Sequence, residues 1–467
     1  MLGLDDIKKL SENYPLLGIL IGITLVSLSI GPFQNGDSDW QFAAAKGVLN
    51  WGMPYVNTFG NIINQAPLGF YIEALFFKIV GLSIINGTAL ITLFGLGSII
   101  VIYKIGKELY DKPTGLIATV LFALSPWELV LSRIFFIDAQ SLFLSLLCLY
   151  LGILAIRKGS IKISMLSGVF FAAAFLTKYF AAFILIPLIL LWLYSRPKNA
   201  KLFFSQVVVF LLPVLLFSFL WYQIVLGKEL LYIFHHSDLS DLNYSGVTLS
   251  YSFVGVFLWN YGLGSYFIAA IAFSLSLLAG FKNILKKPLR LDIICLATIL
   301  PIIILDMILG VGLNLKAPYN NAITYDYLAL PFFCLVAASL LGKCISLANL
   351  AKLKTNIKWQ FVLAAIVTTG VLLLASSIFA SMNMAHQLST TGYLLYRVTM
   401  DQDVGYTILN PAVISQNSFL MNSQYLGFAI LLSGLLWAGR HKLVQAFKPM
   451  KQSINEKRAL SYAKENP

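Results

Sequence analysis

Apolar stretches of about 17–25 residues recur along this chain, each long enough to cross the hydrocarbon of a bilayer as a helix. They suggest about twelve spans, near residues 15–33, 86–103, 114–132, 138–156, 162–177, 180–195, 203–226, 258–280, 291–312, 327–342, 359–381 and 423–439. Inside lipid every backbone N–H and C=O needs a partner within the protein, and long unbroken apolar runs meet that demand as helices. Only 11% of the 467 residues are charged, against about 25% in soluble domains. The expected fold class is therefore all-α and polytopic in a membrane.

The net charge of +13 would in a soluble chain invite a nucleic-acid partner. Its placement argues otherwise. With the N-terminus inside, only Lys46, Lys78, Arg133, Lys178, Lys228, Lys316 and Arg397 of the 33 Lys and Arg fall on the outer side. Cations favour cytoplasmic connections, so the bias predicts both termini inside and an even number of spans in the plasma membrane. Membrane lipid is the implied partner, and nucleic acid is not. A catalytic membrane domain over 1–440 and a basic cytoplasmic tail over 441–467 are expected. Cys148, Cys295 and Cys334 lie in spans and Cys344 at a cytoplasmic edge, so no disulfide framework is implied. The first apolar segment follows Lys8 and Lys9 but is too long for a signal peptide and lacks a small-x-small cleavage site, so it is expected to stay as an anchor.

The longest early outer loop, 34–85, begins after the first span with "GDSDWQF", which sets Asp37 and Asp39 one residue apart. Its "DWQFAAAKGVLNWG" predicts a helix with Trp40, Ala44, Val48 and Trp51 along one face and Gly52 ending it. "APLGFYIEALFFKIVG" predicts a second helix, with Pro67 near its start. Both are expected to lie in the outer interface, with Trp and Tyr at headgroup level.

Other ionisable residues gather on the same side. Arg133 and Asp138 flank the next outer connection, Lys178 breaks two apolar runs, His235, His236 and Asp238 lie in a later loop, and Asp326 stands at the mouth of a span. Each has a plain alternative. Loop acids are commonly just solvated, Arg133 and Asp138 can brace two helices, and Lys178 can snorkel to the interface. Adjacent histidines point different ways on most backbones, which favours a loop over a metal site at His235 and His236. Asp306 lies deeper within a span, where an acid is costly. Together, acids and cations from four distant segments on one side suggest a polar pocket under an amphipathic roof. Such a pocket suits transfer from a lipid-borne phosphate, with a carboxylate as general base and cations on the departing phosphate.

The stretch "GDSDWQFAAAKGVLNWGMPYVNTFGNIINQAPLGFYIEALFFKIVG", then "SRIFFIDAQSLF" and "FLTKYFAAF", resembles the GT-C class of membrane glycosyltransferases. It is similar in particular to family 39, the protein mannosyltransferase and aminoarabinose transferase-like group. The likeness covers about residues 15–200. It implies the GT-C fold with about twelve transmembrane helices, and inverting transfer of a sugar from a polyprenyl-phosphate donor to a lipid, glycan or protein acceptor at the outer face.

By the same resemblance Asp37 or Asp39 is the base, and counting back from Ala45 and Lys46 favours Asp37. Arg133 and Lys178 would bind the donor phosphate, Asp138 would support Arg133 or a metal, and His235, His236 and Asp326 would be further pocket residues. The family's later Arg-Tyr pair has no Arg here, in "YDYLALP". No cofactor is fixed: paired acids admit a divalent metal, while Lys and Arg alone can hold a phosphate. A twelve-span transporter would instead show polar span centres and related halves, and an oligosaccharyltransferase-like subunit a large outer domain with a Trp-Trp-Asp signature. A non-catalytic assembly protein is the third alternative, separated by an assay of sugar transfer.

Overall fold

The computed structural model describes residues 16–24, 36–56, 61–62, 66–123, 125, 128, 131–195, 200–225, 291–312, 327–339 and 430. Residues 16–24 form a first helical segment, α1. The loop that follows folds as α2 (Gly36–Trp51), a two-residue antiparallel pair of β1 (Tyr55–Val56) and β2 (Asn61–Ile62), and α3 (Leu68–Val80). Gly52 closes α2 at φ 73°, a left-handed conformation that glycine adopts without a Cβ penalty.

A bundle of apolar helices follows: α4 (Ile84–Leu109), α5 (Lys112–Ala123), α6 (Ile137–Lys158), α7 (Ile161–Thr177), α8 (Leu185–Ser195), α9 (Ala200–Phe219) and α10 (Leu291–Gly312). The helix Leu330–Ser339, α11, is the last long element described. The local chemistry sets the ends. Ser83 caps α4 by accepting the Asn86 N–H at 3.1 Å, and Ser160 caps α7 through the Ile163 N–H. Between α6 and α7, Gly159 takes the left-handed conformation (φ 60°) that lets the chain reverse in a tight turn.

Three of these helices, Ile84–Leu109, Ile137–Lys158 and the stretch Lys201–Gln223, are long and apolar enough to cross a membrane. Lys112–Ala123, Ile161–Thr177, Tyr179–Ser195 and Leu330–Ser339 are shorter apolar helices. The span expected over 114–132 is replaced by the twelve-residue α5. Pro126 explains the stop, because a proline disfavours helix at the residue before it and donates no N–H. The break expected at Lys178 is present: α7 ends at Thr177, Lys178 is extended, and a 3₁₀ turn over Tyr179–Ile184 leads into α8. The spans expected over 258–280 and 359–381 and the tail 441–467 lie outside the described residues, as does nearly all of 423–439.

α6 is the central element, packing along α4 and α7, while α7 packs on α9. Its Leu142, Leu146, Cys148, Leu149 and Ile153 are buried among Ile99 and Ile102 of α4 and Phe171 of α7. α9 is the opposite case, with Phe204, Val208, Leu212, Leu215 and Leu216 each at least half exposed. An apolar face of that kind suits lipid. α7 and α9 approach so closely that a Cβ on Gly168 would stand 2.1 Å from the Phe210 carbonyl oxygen.

Candidate active site

The site is assembled where α2, α3, the start of α6 and the end of α7 meet. α2 packs on α3, and Ala44, Val56, Phe70 and Ile137 form a small apolar core between them, with Trp40 and Val48 packed against it. Of the residues expected along one face of α2, Trp40, Ala44 and Val48 pack inward and Trp51 does not. Ser38, Gln41, Ala44 and Ala45 are buried, while Trp51 is 54% exposed. Small Ala44 and Ala45 lie between ring contacts of Trp40 with Phe70 and of Phe42 with Phe77 and Phe135.

Gln41 makes the decisive contact, its Oε1 accepting the backbone N–H of Ile137 at 3.0 Å. Ile137 opens α6, so this amide is one of the N–H groups that a helix leaves without an internal partner. Asp37 stands one turn before Gln41 in α2, and Asp39 two residues before it. The side chains of Asp37 and Asp39 lie outside the described residues, but their helix is fixed to the start of α6.

The next residue, Asp138, is buried in the first turn of α6. Its Oδ1 lies 2.5 Å from Lys178 Nζ. The sequence places these residues 40 apart, and the turn at the end of α7 brings the ammonium across to the carboxylate. The Lys178 side chain keeps 21% exposure against 5% for Asp138. Lys178 is thus the more exposed member of the pair. Next to it, the Tyr179 and Tyr222 hydroxyls hydrogen-bond to each other, and Tyr71 and Trp221 meet edge to face at 5.9 Å.

The expected pairing of Arg133 with Asp138 is not formed. The expectation was a phosphate ligand oriented by Asp138, but Asp138 is taken up by Lys178 and Arg133 is only 3% exposed. Its Nη1 donates to the Thr92 hydroxyl and, at 2.7 Å, to the Ser132 carbonyl. Thr92 in turn donates to the same carbonyl at 3.0 Å. In this arrangement Arg133 is a buried brace between α4 and the segment before α6. Two partners were missed from the sequence. Glu128 is buried and accepts a hydrogen bond from the Tyr327 hydroxyl. Tyr327 belongs to the "YDYLALP" stretch where the family's Arg is lacking, and it joins that distant segment to the brace. Neither was visible as a pair, because 199 residues separate them.

His235, His236, Asp238 and Asp326 lie outside the described residues, and so does the side chain of Asp306. Among the described residues no group of three or more His, Cys, Asp or Glu is gathered as a metal site would require.

The family model for dolichyl-phosphate-mannose-protein mannosyltransferase matches residues 64–222. That range holds Arg133, Asp138 and Lys178, with Asp37 and Asp39 just ahead of it. The putative mannosyltransferase YkcB of Bacillus subtilis is 32% identical over 145 residues, which are 30% of this chain and 19% of YkcB. Among solved structures, ArnT from Cupriavidus metallidurans bound to undecaprenyl phosphate matches 93% of this chain and 79% of its own at 15% identity, with a TM-score of 0.52. The archaeal oligosaccharyltransferase AglB from Archaeoglobus fulgidus, in complex with an inhibitory peptide and a dolichol-phosphate, matches 81% of this chain at 13% identity and a TM-score of 0.53. This chain spans 56% of the AglB chain. At such identities the structural likeness speaks for the fold alone. The chain thus shares a fold with these membrane glycosyltransferases of the GT-C class, and its residues 64–222 match the dolichyl-phosphate-mannose-protein mannosyltransferase family model.

Proposed function

We propose that this protein is an inverting glycosyltransferase that moves a sugar from a polyprenyl-phosphate donor to a hydroxyl-bearing lipid, glycan or protein at the outer face of the membrane. The observation that carries this reading is the joining of α2 to the start of α6 by Gln41, beside the Asp138–Lys178 pair. The helix that carries the two acids is thereby tied to the helix that carries Asp138, the partner of Lys178, which supports a shared site. Asp37 or Asp39 takes the proton of the acceptor hydroxyl as its oxygen attacks the anomeric carbon. The bond from that carbon to the phosphate oxygen breaks, and polyprenyl phosphate leaves with the electron pair. Lys178 meets the phosphate charge as it develops, and Asp138 holds Lys178 in place. A divalent metal at Asp37 or Asp39 is compatible with this scheme, which does not depend on one. The GT-C fold favours transfer over the twelve-span transporter.

The test is transfer from a radiolabelled polyprenyl-phosphate mannose by purified protein in lipid. Asn at the true base lowers turnover by roughly 10²–10⁴-fold, the usual worth of acid–base help, with binding of undecaprenyl phosphate intact. Wild-type rates in Asp37→Asn, in Asp39→Asn and in the double variant would sink the assignment.

A further inference from the structure

One buried acid takes no part in that scheme. Glu73, in α3, is fully buried, and so is Gln140, in α6. Gln140 Nε2 donates to Glu73 Oε1 at 2.8 Å. The other oxygen of each side chain, Glu73 Oε2 and Gln140 Oε1, is buried without a hydrogen-bond partner among the described residues. A carboxylate is acceptor-only, so an ionised Glu73 leaves two acceptor oxygens orphaned within one contact. A proton on Oε2 makes it a donor that can turn to the Gln140 oxygen, and both orphans are then satisfied together. Burial without a counter-ion favours the same neutral form.

We propose that Glu73 is held as a neutral carboxylic acid in a two-point pair with Gln140, and that this pair is a positioning element fixing α3 against the segments that carry Asp138 and Lys178. The location gives it that role. One turn before Glu73, a Cβ on Gly69 would stand 2.7 Å from Ile137 Cγ2 and 3.3 Å from Thr177 Cγ2. Ile137 immediately precedes Asp138, and Thr177 immediately precedes Lys178. α3 thus presses on both neighbours of the ion pair, and Glu73 with Gln140 clamps that contact one turn further along each helix. Among the described residues, the charged groups on the elements packed around α3 are Asp138, Arg157 and Lys158 on α6, Lys162 on α7 and Lys178 at its end, Lys104, Lys107 and Glu108 on α4, and Asp37, Asp39 and Lys46 on α2. Those of α4, Arg157, Lys158 and Lys162 stand at the helix ends remote from Gly87, Ile137 and Thr177, which border α3. Asp138 and Lys178 pair with each other, and Lys46 is exposed. Burial raises the Glu73 carboxyl well above the ordinary glutamate range, against the smaller lowering by the Gln140 amide.

The positioning role rests on the transferase reading, whereas the protonation state does not. Infrared difference spectra of wild type minus Glu73→Gln, at neutral pH in H2O and D2O, test the proton directly. The expected result is a carbonyl band of a protonated carboxylic acid that shifts in Gln140→Leu. Absence of that band overturns the inference, whatever the protein's activity. For positioning, Glu73→Ala and Gln140→Leu each lower kcat about tenfold with the donor KM within about twofold, while Glu73→Gln, a neutral isostere able to pair at two points, stays within about twofold of wild type. Loss of more than tenfold in a folded Glu73→Gln, or wild-type kcat in either of the other two, overturns the positioning role. A wild type that shows the band but transfers no sugar overturns the functional reading and leaves the proton on Glu73.

Discussion

Gln41 Oε1 accepts the Ile137 backbone N–H at 3.0 Å, and this bond ties the helix carrying Asp37 and Asp39 to the first turn of the helix carrying Asp138. It supplies a partner to an N–H that α6 cannot satisfy itself, and it sets the distance at which α2 stands from the ion pair. Gln41→Leu therefore leaves a buried donor unpaired, at a cost of about 1–3 kcal/mol. Sugar transfer falls more than undecaprenyl phosphate binding does, because the acids shift while Lys178 stays. Thermal melting and kcat on the same preparation check both parts.

Lys178→Met removes the ammonium and strands a buried carboxylate, which lowers stability by about 1–3 kcal/mol. Undecaprenyl phosphate binding weakens as well. The double variant Lys178→Met with Asp138→Asn separates the two effects. It regains stability, since no charge is stranded, and still binds the lipid phosphate poorly. Recovery of binding in the double variant would mean that Lys178 serves the fold alone.

Arg133→Met behaves differently if the guanidinium is a brace. It removes the Arg133 bonds to the Thr92 hydroxyl and to the Ser132 carbonyl, which keeps only the Thr92 donor, at a cost of about 1–3 kcal/mol, while lipid-phosphate affinity remains that of the wild type. A folded variant with tenfold weaker affinity would return Arg133 to the phosphate site expected from the sequence.

Gly168→Ala tests the contact of α7 with α9. Its new Cβ meets the Phe210 carbonyl at 2.1 Å, and backbone cannot swing aside as a long side chain can. Overpacking of this kind costs about 1–3 kcal/mol. The expected readout is a lower melting temperature, and unchanged melting would show that the helices part at no cost.

Glu73 gives a pH dependence with a definite sign. Burial holds its carboxyl well above the ordinary glutamate range in the folded protein. The folded state then binds the proton more tightly than the unfolded chain. Its contribution to stability is full below the unfolded glutamate value and is lost as pH rises from there toward the folded one. Glu73→Gln, which carries no such proton, has a flatter stability profile over that window. Parallel profiles for the two proteins from acid to neutral pH would contradict the burial effect.

Runs of apolar residues and Lys178 between two of them were enough to determine a helical membrane protein, a break after Thr177 and the ends of α6, because length and charge act locally, whereas the stop of α5 before Pro126 was missed. The resemblance in "GDSDWQFAAAKGVLNWG" and "SRIFFIDAQSLF" likewise pointed to the GT-C class, since short motifs in a fixed order survive without contacts being known. Partner choice was decided only in three dimensions. Arg133 and Asp138 are near in sequence, yet Asp138 pairs with Lys178 across 40 residues and Arg133 turns to Thr92. Glu128 and Tyr327 or Glu73 and Gln140 carry no sequence signal of their pairing, because a buried polar group takes whichever partner packing brings within hydrogen-bond reach.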